Sequence, residues 1–266
     1  MQVFFQYIKL SFLKMLAYRL RYYTGILTYL LFVSVHYFIW KAIYQNDYQK
    51  VINGFTLSEM VTYICIGWIA RSFYFSNIDE ELDDLVRTGQ ISTYLIRPVN
   101  LQAMLFGQAI GDSLFRLIFF TPPIAVTIVL FYNVSLPPNL LSYVGFFISQ
   151  LIGFIVLAQI NFLVGLLAFY TKSIDGITRA KYYIVQLFSG LLLPLTFFPS
   201  WFKDIMDFLP FKVIGSYPLQ FYLGKISYDT NLLSVIVAQF SWIILLQVFI
   251  IIFWNKSYRF LTIQGG

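Results

Sequence analysis

Ionisable side chains crowd into one short stretch of this chain, NIDEELDDLVRTGQISTYLIRPVN, residues 77–100. Asp79, Glu80, Glu81, Asp83 and Asp84 are followed by Arg87, Gly89, Arg97 and Pro98. Such charges cost several kcal/mol each in hydrocarbon, so the island belongs in water or against another protein. The chemistry it offers is electrostatic recognition. Acids at the front suit a helix N-terminus and Arg87 suits its end. Residues 79–87 therefore predict one or two helical turns, with Leu82, Leu85 and Val86 clustered. Gly89 permits a sharp turn, and Pro98 closes the next short element. A small amphipathic helix between apolar runs makes a knob for a cytoplasmic partner, and the same pattern also fits a solvated loop cap.

Other reactive residues are sparse. His36 is the only histidine, so neither a multi-histidine metal cluster nor an HExxH pair exists. No GxSxG occurs, and the one Gly-Lys dipeptide, Gly224-Lys225, lacks the upstream glycine of a phosphate loop. Cys65 is alone, leaving no disulfide framework and no thiolate site. An intramembrane enzyme would need clustered acid, base and nucleophile, and none is seen. Asp112 and Arg116 lie four apart in an apolar run, acid first, and so can share one helix face. They read either as a gate or pathway contact or as a neutralised structural pair.

The elements that must hold these residues are helices in a bilayer. Of 266 residues, 59% are hydrophobic and 11% charged, against about 45–50% and about 25% in soluble domains. Runs such as ILTYLLFVSVHYFIW do not alternate as barrel strands do. The fold class is an all-α polytopic membrane protein, one domain over 1–266. Six spans are expected at 22–40, 58–76, 103–131, 140–170, 182–198 and 232–254. No cleavable signal peptide is evident. Residues 1–21 place Phe4, Phe5, Ile8, Phe12, Met15 and Leu16 on one face, punctuated by Lys9, Lys14, Arg19 and Arg21. They predict an amphipathic helix lying in the interface plane, on the headgroups of membrane lipids. The segment 199–231 is aromatic yet broken by Pro199, Pro210 and Pro218, which predicts short helices re-entering the outer leaflet. With both termini cytoplasmic, twelve Lys and Arg fall inside and five outside, Arg116 being left within a span. This bias places the island in the cytoplasm and explains the net charge of +6 without nucleic acid. No internal repeat stands out.

Three motifs resemble a known family. LVRTGQISTYLIRPVN carries Arg87, Gly89, Leu95, Arg97, Pro98 and Asn100 in an arrangement similar to that after the second span of type-2 ABC transporter permeases of the six-span ABC-2 group. LPLTFFPSWFKDIMDFLPF with YPLQFYLGK, and the terminal FWNKSYRFLTIQGG, resemble the later part of the same group. The resemblance implies a non-catalytic permease subunit in a bacterial cytoplasmic membrane, paired with a second permease chain, identical or related. Separate ABC ATPase subunits would bind ATP and Mg, so this chain would hold no cofactor. Residues Glu80 to Arg87 (Glu80, Glu81, Leu82, Asp83, Asp84, Leu85, Val86, Arg87) would form the coupling helix, with Gly89, Arg97 and Pro98 beside it. The implied role is export of a drug, a cationic toxin, a lipid or a glycoconjugate. An ion-coupled transporter or channel is the alternative, for which one intramembrane pair is thin support.

Overall fold

The computed structural model describes residues 2–18, 20–74, 76–96, 99–171, 173–226 and 232–257. Helices α1 (Gln2–Ala17) and α2 (Leu20–Ile43) lead to a two-stranded hairpin, β1 (Val51–Ile52) and β2 (Phe55–Thr56). Asn53 and Gly54 turn it with φ of 49° and 82°, the pairing that a tight hairpin demands. Helix α3 (Leu57–Tyr74) starts at once, because Thr56 and Glu59 close a capping box: the Thr56 N–H donates to Glu59 Oε2 (2.8 Å) and the Glu59 N–H to Thr56 Oγ1 (3.3 Å). Helices α4 (Ile78–Arg87) and α5 (Ile91–Leu95) follow.

Helix α6 (Leu101–Phe115) is capped by Asn100, whose side chain accepts from the Ala103 N–H at 3.0 Å. It continues through a π turn (Arg116–Phe120) into α7 (Thr121–Phe131). Pro122 and Pro123 explain the turn, since proline supplies no N–H and crowds the carbonyl of the preceding turn. Helix α8 (Leu140–Gly165) runs into a 3-10 turn (Leu166–Phe169). Then come α9 (Asp175–Phe188), a 3-10 turn (Leu195–Phe197), α10 (Ser200–Asp207), α11 (Phe211–Ile214), α12 (Ser216–Tyr222) and α13 (Leu232–Ser257).

Among the described residues four helices are long and apolar enough to cross a membrane: Gly25–Ile43, Leu101–Phe131, Leu140–Phe169 and Leu232–Ser257. The expected second and fifth spans are not among them. Helix α3 carries Glu59 and Arg71 within its 18 residues. Helix α9 begins earlier than expected, at Asp175, and stops at Phe188 after 14 residues. Gly190, at φ 78°, and Pro194 lie just beyond its end.

Contacts fix the directions of the helices. Tyr29 meets Phe120 and Tyr37 meets Tyr132, so α2 runs parallel to α7. Ser72 bonds Thr121 while Ser58 bonds Ser135, so α3 runs against it. Gln239 bonds Ser149 and Gln247 bonds Gln159, so α13 runs parallel to α8. Residues 211–224 climb along the first half of α8: Val213 and Ile214 abut Gly153, Phe221 abuts Gly145, and Gly224 sits by Pro138.

Helix α1, expected to lie in the interface plane, packs along α6. A helix lying across α6 would touch it at one crossing. Instead α1 follows α6 in the same direction for about three turns. Phe4 and Tyr7 pack on Gly107, Ile8 and Ser11 on Gly111, and Phe12 on Phe115 and Phe119. Gly111 makes this possible, because a Cβ there would lie 2.3 Å from the Ile8 carbonyl oxygen. Lys9 and Lys14 stay exposed.

Candidate functional site

Helix α4 presents three faces to three environments. Ile78, Leu82 and Leu85, spaced by one helical turn, form its apolar seam and are buried. Leu82 is fully buried against Gly165 at the end of α8. A Cβ on Gly165 would stand 3.0 Å from Leu82 Cδ2 and 3.1 Å from the Asp79 Cα, so the glycine sets how closely α4 seats.

A second face turns acids inward. Asp79 is 1% exposed and takes a 2.6 Å bond from Lys181 Nζ of α9. The same ammonium donates to Asn161 Oδ1 of α8 at 2.7 Å. Asn161 Nδ2 in turn donates to the carbonyl and hydroxyl oxygens of Ser76, at 2.8 and 3.0 Å. One turn further, buried Asp83 takes a backbone hydrogen bond from Ile174, ahead of α9. A chain of satisfied polar bonds thus fastens the start of α4 to α8 and α9, which a buried ion pair requires in order to persist. Beside it Arg71 lies between the rings of Trp68 and Tyr182, 4.9 and 5.1 Å from their centroids, and donates to the Tyr182 hydroxyl.

The third face is open. Glu80, Asp84 and Arg87 are exposed along one stripe, with a loose 3.4 Å pair between Asp84 and Arg87. A cleft of about 140 Å³ separates this stripe from α9, with Asn77, Glu80 and Arg179 among its walls. Glu81 is half-buried, and burial pushes its carboxyl up, Lys14 of α1 pulling it down and Asp112 pushing it further up. Val86 is half-buried, and Gly89 turns the chain at φ 71°. Arg97 and Pro98 lie outside the described residues.

Asp112 does not stand as an isolated mid-membrane residue beside Arg116. Its carboxylate accepts a 2.5 Å bond from Ser11 of α1, and it is within electrostatic reach of Glu81, Lys14 and Arg116. Arg116 opens the π turn. The bond that α6 makes here reaches sideways to α1, and the residue belongs with the charged end of the bundle.

The structure therefore divides the five acids: Glu80 and Asp84 face outward beside Arg87, Glu81 is half-buried, and Asp83, like Asp79, is spent on internal bonds. Ser76, Asn161 and Lys181 are the residues that sequence reasoning missed, and Asp79 was read only as one acid of the island. Their one signal was polarity inside or beside apolar runs, Lys181 having served only to orient the chain. Among the described residues no group of three His, Cys, Asp or Glu is placed to hold a metal ion.

A family model described as "ABC-2 family transporter protein" matches residues 30–265. No curated protein and no solved structure matches the chain.

Proposed function

The chain belongs to the ABC-2 family of transporter proteins, and we propose from that premise that it is the permease subunit of an ATP-driven exporter, moved by separate ATPase subunits that grip α4. It is a multi-pass membrane protein, and membership of the family implies association with ABC ATPases. The observation that carries the proposal is the division of labour on α4. Its outward stripe of Glu80, Asp84 and Arg87 is free for a partner, while Asp79 and Leu82 tie the same ten-residue helix to α8 and α9. Force applied to the stripe reaches two long elements through short, buried contacts. A solvated loop cap would need no such anchorage.

The membrane placement follows from the charges. From Leu140 to Asn161, α8 rises about 32 Å at 1.5 Å per residue, close to the roughly 30 Å of a hydrocarbon core. The bias of Lys and Arg supports an α4 end and both termini in the cytoplasm, and the family resemblance supports a bacterial cytoplasmic membrane. On this reading α3, buried along most of its length, and α9, which is mostly exposed and buries only Thr178 and Val185, complete six spans. Residues 211–224 then form a re-entrant segment on the outer half of α8. The cargo is a hydrophobic or amphipathic compound, a second permease chain completes the path, and ATP and Mg belong to the ATPase.

The test uses charge reversal on the two outward acids. Glu80→Lys with Asp84→Lys should abolish co-purification of an ABC ATPase that the native chain captures on co-expression, and leave the melting temperature of the permease unchanged. Retention of the ATPase would remove α4 from the coupling role. Transport driven by a proton gradient with no ATPase present would favour the ion-coupled alternative.

A further inference from the structure

At the α4 end, a cavity of about 380 Å³ opens between the start of α6, the end of α8 and the end of α13. Its volume falls in the range of small-molecule sites, about 300–1,000 Å³. Phe162, Ile250, Ile251 and Trp254 supply its apolar walls, and Gln102 and Gln247 its polar corner. No charged side chain lines it among the described residues.

The two amides of the polar corner join a third, Gln159, which stands behind them outside the cavity lining, so that three helices meet at one cluster. Gln102 Nε2 donates to Gln247 Oε1 at 2.9 Å and Gln247 Nε2 donates back at 3.1 Å. Gln159, 2% exposed, donates to Gln247 Oε1 at 3.2 Å and to the Ile243 carbonyl at 3.0 Å. Each primary amide carries two N–H donors and a carbonyl oxygen with two lone pairs. The reciprocal pair uses one N–H from each wall residue and leaves the other uncommitted. The Gln159 carbonyl oxygen is buried with no hydrogen-bond partner, and such groups cost free energy unless something supplies one. Gln159 lies behind the cavity wall, while the wall pair itself offers spare N–H donors and, on Gln102 Oε1, which accepts a single bond, a spare lone pair. A hydroxyl, which both donates and accepts, complements it. A carboxylate could only accept, and a quaternary ammonium could do neither. At the mouth Ile251 is 52% exposed, and the exposed side chains of Val248 and Ile252 continue the apolar surface along α13.

We propose that this cavity binds a single-chain amphiphile with an uncharged hydroxyl head, the head at the glutamine cluster and the tail along Ile251 and the exposed face of α13. The proposal concerns binding alone and stands apart from the coupling role of α4.

It is tested on the full chain in lipid nanodiscs, without nucleotide, using a dodecanol that carries a photoreactive diazirine. Labelling should saturate and map to peptides around Gln102 and Gln247–Trp254. Excess dodecanol should suppress it roughly tenfold, whereas dodecyl sulfate and dodecyltrimethylammonium should not. Gln247→Leu should cause a similar loss. Ile251→Trp, at an exposed position, fills the mouth with the amides intact, so it remains informative if Gln247→Leu fails to fold. Non-saturable labelling spread over the whole exposed face of α13 would overturn the proposal. So would competition by either charged compound equal to that of dodecanol, or labelling indifferent to Ile251→Trp.

Discussion

Two lysines, one at each end of the bundle, make ion pairs of nearly equal length in unlike surroundings. At the α4 end, Lys181 meets Asp79 at 2.6 Å with the two side chains 13% and 1% exposed. At the hairpin end, Lys225 meets Glu59 at 2.8 Å with 24% and 34% exposed. Lys225 also donates to the Gly54 carbonyl at 2.7 Å and sits 4.2 Å from the Phe55 ring centroid. Both clasps join segments more than a hundred residues apart. The difference lies in what happens when one partner goes: water readily solvates what remains of the hairpin clasp, whereas at the α4 end Lys181 keeps only Asn161 and a narrow cleft. Distance alone says little about such a pair, and burial decides its weight.

The sharpest way to break the comparison is to remove one buried partner. Asp79→Ala leaves Lys181 uncompensated and should cost about 3–5 kcal/mol, read by thermal unfolding of the purified protein. Asp79→Leu combined with Lys181→Met should recover most of that loss, because no charge is left stranded. Equal stability of the native chain and the single variant would show that the buried clasp bears no load.

Acidity sharpens the comparison at the same end. Burial raises the Glu81 carboxyl above its ordinary 4.5, with Asp112 and Asp84 adding to the effect against Lys14. The folded chain therefore holds this proton more tightly than the unfolded chain, and stability falls as pH rises from about 4.5 through the raised value. Glu81→Gln should flatten that dependence, by at most about 1.4 kcal/mol per pH unit. Melting temperatures measured from pH 4 to 8 check it, and an unchanged slope would relocate the titrating group.

The smallest effect belongs to the hairpin clasp. Lys225→Ala should cost no more than about 1 kcal/mol, from a half-exposed pair and its ring contact. A loss as large as that of Asp79→Ala would erase the distinction between the two ends.

Much of the scaffold was legible in the sequence. The apolar runs became α2, α6–α7, α8 and α13, because hydrocarbon admits only backbone whose polar groups are satisfied within the helix. The acidic front of residues 79–87 became α4, since carboxylates favour a helix N-terminus. The hairpin was missed although Asn53-Gly54 signals it. The packing of α1 on α6 was not legible, because its apolar face was matched to lipid, while Gly107 and Gly111, a hundred residues away, had prepared a groove for it. Single glycines in an apolar run do not announce which helix will approach them.

Composition and run length by themselves settled that this chain lives in a bilayer and keeps one acidic helix outside the apolar runs, because desolvating charge costs more than any local preference can return. Only the tertiary structure decided which acids face outward. Asp79 and Glu80 are chemically alike neighbours, and their roles separate through helical phase against α8 and α9. The same holds for Gln102, Gln159 and Gln247, neutral amides whose meeting depends on three helices packing at one depth.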